Sequence, residues 1–484
     1  MTLTSALNAA MTGLRSASRS SELISSNISN AATPGYARRT LETTSNASAF
    51  LSGVRIEGVV RHGDAQVLAD RRLASAEFGY RSDTTRFLTS IEDAIGTPDQ
   101  PGSLSARLAD FDNSLILASS RPDAAERLDS SALAARDLAN TINRASDDVQ
   151  GARSQADRNI AAQIDRLNDA LAAVKEVNSQ ITATISQRGD TAALQDQRQV
   201  LIDEISEIVP VRVVPRDHGA VALFSTGGAI LLDGTPASIE FEPANVVTPY
   251  MSVEDGTLSG LTVNGFAVST SSETGRLRGG TLGAQFEIRD ELAPEAQTQL
   301  DALARDLIER FEDPGVDPTL AAGQPGLFTD QGAALDPLAE EGLASRLSLN
   351  ALVDPAQTGE TWRIRDGLGA AAPGDVGNAQ IINALSDALS DARTPATGGF
   401  GTGVFTALDL TSAFASRLGT DRLRSDQQLS FASAQLNELT QLELADGVDT
   451  DVELQRLMMV EQAYAANARV IQTVDEMIDT LLGI

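Results

Sequence analysis

Cysteine is absent from this chain of 484 residues, and its absence excludes disulfide bonds and thiolate metal sites. Histidine is scarce, because only His62 and His218 occur, each beside a glycine and without a second histidine at helical spacing. We expect both to be solvent-exposed turn residues rather than metal ligands or catalytic bases. Carboxylates are plentiful, but no motif singles out a catalytic pair. The sequence therefore predicts no catalytic residue, no metal site and no cofactor.

Long apolar runs are also missing. No stretch reaches the roughly 18 apolar residues that a membrane-spanning helix needs, and the N-terminus lacks the basic region and apolar core of a Sec-type signal. Basic residues are outnumbered, 37 against 67 acidic ones, and the net charge of −30 repels nucleic acid and anionic lipid. Because 42% of the residues are hydrophobic, we expect a folded protein whose partners are neither nucleic acids nor membranes.

Apolar residues are present as a heptad repeat at each end of the chain, a pattern typical of helices that pack together. At the N-terminus the repeat consists of Leu3, Leu7, Ala10, Leu14, Ala17, Ser21, Ile24 and Ile28. At the C-terminus it consists of Leu457, Val460, Tyr464, Asn467, Ile471, Val474, Ile478 and Leu481. The sequence therefore predicts that the two terminal helices pair.

The C-terminal helix has a second apolar row, which makes its apolar face wider than one partner helix can cover. That row consists of Met459, Ala463, Ala466, Val470 and Met477. We predict a polymer subunit whose terminal helices become ordered on assembly, when neighbouring subunits supply the missing contacts. An ordinary helical hairpin that closes one domain is the alternative.

Local signals mark where these terminal helices begin and end. Thr450 and Glu453 have the spacing of a capping box, with Asp451 at the positive end of the last helix. Asn27 lies where the first helix should end, and we expect it to be a capping residue. Thr33 precedes a proline and is biased away from the helical conformation, and the Pro-Gly pair that follows favours a tight turn.

The turn that follows the first helix resembles a known motif. Its sequence over residues 26–36 is Ser-Asn-Ile-Ser-Asn-Ala-Ala-Thr-Pro-Gly-Tyr. It is similar to the segment that ends the N-terminal helix of bacterial flagellar axial proteins, which comprise rod, hook and hook-associated proteins. Residues 461–471 and 474–482 resemble the matching C-terminal segment of that family. The candidate residues of the turn motif are Asn27, Asn30, Thr33, Pro34, Gly35 and Tyr36.

Two interior segments, residues 194–205 and 279–290, are similar to segments of the hook-associated members that join hook to filament. The resemblance covers most of the chain and is weak between residues 320 and 405. It implies a structural, non-enzymatic subunit of the extracellular flagellum that leaves the cell by type III export and forms the hook-filament junction. Implied partners are copies of the chain in a ring or helical layer, the hook protein, hook-associated protein 3, and an export chaperone at the C-terminal helix.

The residues expected to form the subunit interface are those of the two terminal repeats. They are Leu3, Leu7, Leu14, Ile24, Ile28, Leu457, Val460, Tyr464, Ile471, Val474, Ile478 and Leu481. A flagellar hook subunit or a distal rod subunit is the alternative within the family. A glycan-cleaving enzyme of the rod cap is the alternative from another class, and it would require an acid with a raised pKa in a cleft.

The fold class expected from these patterns is mainly α with β inserts: terminal coiled-coil helices, an elongated helical bundle and a small antiparallel β domain. Residues 1–60 with 446–484 should form the terminal polymerisation domain. Residues 61–210 with 280–320 and 406–445 should form the bundle. Residues 211–279 should form the β insert, and residues 321–405 a second, looser insert.

Within these domains, periodicity and turn residues predict individual elements. Helices are expected over 64–95, 103–120, about 124–187, 191–208, 284–312 and 411–444. Strands are expected over 211–214, 220–224, 229–232, 238–241, 246–251 and 258–263. The second insert should contain a strand at 362–364 and a helix at 379–389. Because the first insert is local in sequence and begins where a helix ends, residues 211–277 should form a detachable outer knob.

Overall fold

The structure is a computed structural model that describes residues 3–48 and 51–482, and it is mainly helical with small antiparallel sheets. The helices are α1 (Leu3–Ser29), α2 (Ala65–Ile95), α3 (Leu104–Ser120), α4 (Ala125–Ser186), α5 (Ala192–Ile208), α6 (Gly280–Glu287), α7 (Ala293–Phe311), α8 (Leu343–Arg346), α9 (Arg363–Asp366), α10 (Gln380–Ser390), α11 (Ala407–Ala445) and α12 (Thr450–Leu482). The expected fold class, mainly α with β inserts, is confirmed.

The strands within the described residues form four small antiparallel sheets. They are β1 (Arg39–Ser48), β2 (Leu51–Arg61), β3 (Val211–Pro215), β4 (Val221–Ser225), β5 (Ile230–Asp233), β6 (Thr235–Pro236), β7 (Ile239–Glu240), β8 (Leu261–Val263), β9 (Phe266–Val268), β10 (Phe328–Asp330) and β11 (Leu347–Leu349). Strand β1 pairs with β2 and β10 with β11, while β3 to β6 and β7 to β9 each form a meander in chain order.

The two chain ends meet, because α1 packs against α12 and the β1–β2 pair packs on α1. Thr12 contributes to the second contact, since its Oγ1 accepts a hydrogen bond from the backbone N–H of Val54 at 3.2 Å. Next to this terminal unit, α2 and α11 pack together as two antiparallel helices. The hydroxyl groups of Thr85 and Ser425, 2.6 Å apart, are buried between them.

Helix starts follow their local signals. Asp64 caps α2 by accepting hydrogen bonds from two backbone N–H groups, and Ser103 caps α3 through the N–H of Ala106. The helix expected over 284–312 is interrupted by a π-helical turn at Ile288–Leu292. Pro294 has no N–H with which to continue the regular ladder, so the wider turn lies directly before it.

The first β insert is fixed to the bundle by side chains of α4. Asn178 of α4 donates to the carbonyl of Val221 and accepts from its N–H. Asn168 binds the N–H and carbonyl of Ile239 in the same way. The prediction of a strand over residues 246–251 is wrong. Here the backbone forms a loop, and Ser154 of α4 accepts from the N–H of Val247 and donates to its carbonyl, in place of a neighbouring strand.

The apolar stripe of the second half of α4 is buried against this insert and against α5 and α6. The stripe consists of Ile160, Ile164, Leu167, Leu171 and Val174, and it shares one core with Leu223, Leu231 and Leu232 of the insert. Because the same apolar surface belongs to both parts, we do not expect residues 211–277 to be detachable.

The second insert shares the core of the bundle. Buried residues such as Leu347, Ile364 and Ile382 belong to the same cluster as α3, α4 and α7. The prediction of a strand at residues 362–364 is wrong, because this segment leads into the short helix α9. No described strand lies beside it as a partner, and its amides bond locally, Arg363 N–H to the Glu360 carbonyl and Ile364 N–H to the Thr361 carbonyl.

Candidate assembly site at the terminal helices

The helices α1 and α12 cover each other's repeats only in part. On α1, Ala10, Ala17 and Ile24 are buried, while Leu3, Leu7, Leu14 and Ile28 are half-buried. On α12, Val474 is buried, Leu457, Val460, Ile471 and Ile478 are half-buried, and Tyr464 and Leu481 are exposed. A subunit alone therefore leaves much of its terminal apolar surface in contact with water.

The helices approach each other closely at Gly13. A Cβ atom placed there would lie 2.8 Å from Oδ1 of Asn467, the polar member of the C-terminal repeat. The Asn467 side chain donates to the carbonyl of Ala463 in its own helix, at 2.9 Å. The missing side chain at Gly13 thus leaves room for a polar residue within an otherwise apolar seam.

The second apolar row of α12 is largely open to solvent. Met459, Val470 and Met477 are 60%, 42% and 51% exposed. A groove of about 410 Å³ runs between the two helices on this side, lined by Leu3, Ala6, Arg469, Val470, Thr473, Val474 and Met477. The pairing of α1 with α12 therefore leaves a largely apolar groove without a covering partner.

Asn27 is not the helix cap that its position suggested. It lies within α1 and is completely buried. Its Nδ2 donates to the carbonyl of Arg39 at 2.9 Å and to Oε2 of Glu453 at 3.0 Å. Its Oδ1 accepts from the N–H of Arg39 at 3.0 Å and from the hydroxyl of Tyr36 at 2.8 Å. One amide thus joins the first helix, the turn motif, strand β1 and the last helix.

The rest of the turn motif shapes the chain between α1 and β1. Asn30 donates to the carbonyl of Ser26 at 2.9 Å, and Thr33 donates to Oδ1 of Asn30 at 3.3 Å. Pro34 is exposed. Gly35 has a φ of 76°, and a Cβ atom there would lie 2.6 Å from the side chain of Val200 in α5. Only glycine allows the turn to pack this closely against the bundle.

Glu453 also differs from its expected role in a capping box. The start of α12 is capped instead by Asp449, which accepts from the N–H groups of Asp451 and Val452 at 2.9 and 3.1 Å. Because the helix begins one residue after Asp449, Glu453 lies one turn further along and points inward. It is 1% exposed and accepts from Asn27 and from Arg456, the latter at 2.6 Å.

Buried ion pairs connect this terminal unit to the bundle. Arg39 and Arg61 both pair with Asp196 of α5, and the Arg61 Nε–Asp196 Oδ1 distance is 2.7 Å. Further along α5, Asp203 pairs with Arg72 of α2 at 2.6 Å. Burial lowers the pKa of Arg72 from its ordinary value, and the neighbouring Asp203 carboxylate opposes that change. These ion pairs hold α2, α5 and the paired strands β1 and β2 together.

Two other kinds of site are absent from the described residues. Among residues 3–48 and 51–482, no three side chains of His, Cys, Asp or Glu are grouped to hold a metal ion. Over the same residues, no helix is long and apolar enough to cross a membrane. His62 is half-buried rather than exposed, because its Nε2 is 2.7 Å from Oγ1 of Thr40 in the hairpin, whereas His218 is exposed as expected.

Comparison with known proteins gives consistent matches. Residues 88–326 match the family described as the flagellar hook-associated protein FlgK helical domain, and residues 445–484 match the flagellar basal body rod FlgEFG protein C-terminal family. Flagellar hook-associated protein 1 of Bacillus subtilis (strain 168) is 24% identical over 490 residues, covering 94% of this chain and 93% of that protein. The Escherichia coli (strain K12) protein of the same name is 24% identical over 573 residues, covering 100% of both.

A solved structure, the flagellar hook junction protein FlgK from Burkholderia pseudomallei, matches 55% of this chain and 46% of that chain, with 20% identity and a TM-score of 0.43. The two relatives of matching length and both family matches are flagellar proteins, and the family matched by residues 88–326 is described as a helical domain. The chain therefore belongs to the flagellar hook-associated protein 1 family and is a structural, non-enzymatic component of the extracellular bacterial flagellum.

Proposed function

We propose that this chain forms the junction between the flagellar hook and filament, and that its terminal helices hold the subunits together. One observation carries the second part of the proposal: the pairing of α1 with α12 covers the first apolar row of α12 only in part and leaves the second row exposed. An exposed apolar surface of this kind is typical of a protein interface. Neighbouring subunits in the junction would bury it.

The proposal assigns roles to the parts of the chain. Residues 1–60 with 446–484 form the polymerisation domain, and residues 61–210 with 280–320 and 406–445 form the bundle around it. The inserts at 211–279 and 321–405 pack on the bundle and share its apolar cores. The interface consists of the terminal repeats, from Leu3 to Ile28 and from Leu457 to Leu481, together with the exposed row of α12.

The partners proposed for this interface are other copies of the chain, the hook protein on one side and hook-associated protein 3 on the other. Before assembly, an export chaperone would shield the C-terminal helix. Support for such a cover comes from the exposure of Met458, Met459 and Met477, because flexible methionine side chains adapt to more than one partner surface.

The test introduces one carboxylate into the exposed row. Val470→Asp should leave the melting temperature of the purified subunit almost unchanged, because Val470 is 42% exposed there. Assembly should fail, because burial of an unpaired carboxylate between subunits costs several kcal/mol at each repeat of the contact. Gln472→Asp is the matched control, since it adds the same charge about 200° away around the same helix.

The measurements are calorimetry of the purified variants and electron microscopy of deletion cells that express them. Cells with Val470→Asp should carry hooks without filaments and release flagellin into the medium, while cells with Gln472→Asp should swim. Normal filaments with Val470→Asp would refute the role of the exposed row. Deletion cells that lack hooks altogether would instead indicate a rod or hook subunit.

A further inference from the structure

We propose that Asn27, held by Glu453 and Tyr36, is a positioning residue that fixes the angle between the terminal helices and the bundle. The inference deepens the proposed function and rests on it, because subunits on a common lattice must present their terminal helices in one direction. Its evidence is a chain of buried and partly buried contacts that runs from α12 through α1 and β1 to α5.

The first step is the saturation of the Asn27 amide. A side-chain amide has two N–H donors and one carbonyl acceptor, and in Asn27 both donors and the acceptor are used. The partners are the backbone of Arg39, the carboxylate of Glu453 and the hydroxyl of Tyr36. Since Asn27 is completely buried, water cannot replace any partner that moves away. The four bonds therefore favour a single arrangement of the three segments.

The second step is the connection from Arg39 to the bundle. Asn27 holds the backbone of Arg39, and the side chain of Arg39 pairs with Asp196 of α5. The Arg39 and Asp196 side chains are only 14% and 12% exposed, and the guanidinium of Arg39 also stacks on the Tyr36 ring, 4.7 Å from its centroid. A rotation of the terminal helices against the bundle would have to break these contacts together.

The third step is the choice of side chain. Aspartate at position 27 would lose both donors and would place a second carboxylate against Glu453. The angle between the terminal helices and the bundle should therefore vary more widely. Alanine would leave the N–H and carbonyl of Arg39 without their buried partner. Asn30, three residues later in the same motif, bonds to its neighbours Ser26 and Thr33 and to no more distant residue of 3–48 and 51–482. Replacement of Asn30 should therefore not affect the angle, which makes it the matched control.

The experiment measures the angle directly in the free, full-length subunit. The chain has no cysteine, so the exposed residues Ser18 on α1 and Ser130 on α4 can be changed to cysteine and spin-labelled. Pulsed electron paramagnetic resonance then gives the distribution of distances between the labels. We expect one narrow distribution for the labelled parent and for Asn30→Ala, and a distribution at least twice as broad for Asn27→Ala and Asn27→Asp.

Rescue separates positioning from a merely structural role. In Asn27→Asp combined with Glu453→Gln, the glutamine N–H can donate to the new carboxylate, and its carbonyl can still accept from Arg456. The double variant should recover a narrower distribution than Asn27→Asp alone, while calorimetry shows the same main bundle transition in all variants. If Asn27→Ala does not fold, Tyr36→Phe removes one of the four bonds and should broaden the distribution to a smaller extent.

The outcomes divide clearly. Distributions for Asn27→Asp and Tyr36→Phe as narrow as that of Asn30→Ala would overturn the positioning role, as would broadening that Glu453→Gln does not reverse. Because the labels report on the free subunit, this result is independent of assembly. Should the distributions stay narrow while Val470→Asp still blocks filaments, positioning fails and the proposed function stands. If the distributions broaden while cells with Val470→Asp form normal filaments, the positioning role stands and the proposed function fails.

Discussion

Replacement of residues 211–277 with a short Gly-Ser linker should unfold the part of the bundle that contains the second half of α4. The β insert buries the apolar stripe of α4 jointly with α5 and α6, and α4 side chains bind its backbone at Val221, Ile239 and Val247. Its removal would expose the stripe and leave Asn168 and Asn178 without their partners. A detachable knob, by contrast, would leave the bundle intact.

The expected loss follows from the five aliphatic residues of that stripe. Full exposure of one such side chain costs about 1.5 to 3 kcal/mol, so half exposure of all five costs about 4 to 8 kcal/mol. The total stability of a typical domain is only about 5 to 15 kcal/mol. The deletion should therefore remove most or all of the stability of this region, even before the lost hydrogen bonds are counted.

Circular dichroism melting and hydrogen exchange of the purified variant measure the effect. We expect a smaller cooperative transition and rapid exchange of amides over residues 160–177. A Gly-Ser replacement of residues 371–378, which are exposed, is the control for an altered loop and should melt like the parent. If the insert deletion melts like this control and keeps its protected amides, the shared-core argument is wrong.

Two further predictions concern buried charges. Asp157→Ala should lower the free energy of unfolding in urea by about 1.5 to 3 kcal/mol, because the fully buried Arg289 loses its 2.9 Å bond to Asp157 and keeps Asp290 as a charged partner. Glu204→Ala, which removes the exposed partner of Arg166, should cost about 1 kcal/mol or less, and equal losses would contradict this reasoning. Burial raises the pKa of Asp301 to about 6. Between about pH 4 and 6 the folded chain therefore keeps a proton on Asp301 that the unfolded chain releases. Stability measured by urea unfolding should therefore fall as the pH rises from about 4 to 6, and Asp301→Asn should flatten that slope; an unchanged slope would show that other groups titrate.

Much of the fold could be predicted from the sequence because its signals are local. The heptad repeats indicated the pairing of the terminal helices, and Asp64 and Ser103 marked where α2 and α3 begin. Hydrophobic periodicity reports which face of a helix is buried, and short-range capping reports where the helix starts. Both kinds of information are contained within a few residues of each element.

The polar contacts could not be predicted, because their partners are distant in the chain. Asn27 and Glu453 are 426 positions apart, and nothing near either residue distinguishes a buried amide or carboxylate from an exposed one. Local rules assigned both to helix caps, which is where such residues usually lie when they are exposed. Asp449, and not a capping box with Glu453, caps the start of α12. The Glu453 carboxylate instead lies inside the fold, where it accepts from Asn27, a partner that the local sequence pattern does not indicate.

Two asparagines of α4 bind strand backbone in the same way, and at one sheet edge this binding opposes aggregation. Asn168 and Asn178 each bind the N–H and the carbonyl of a single strand residue, so each side chain occupies the place of one residue of a neighbouring strand. Ile239 lies in β7, at the edge of its sheet. Open strand edges invite pairing with other chains. By binding the N–H and the carbonyl of Ile239, α4 covers part of this edge and leaves fewer backbone groups for another chain to pair with.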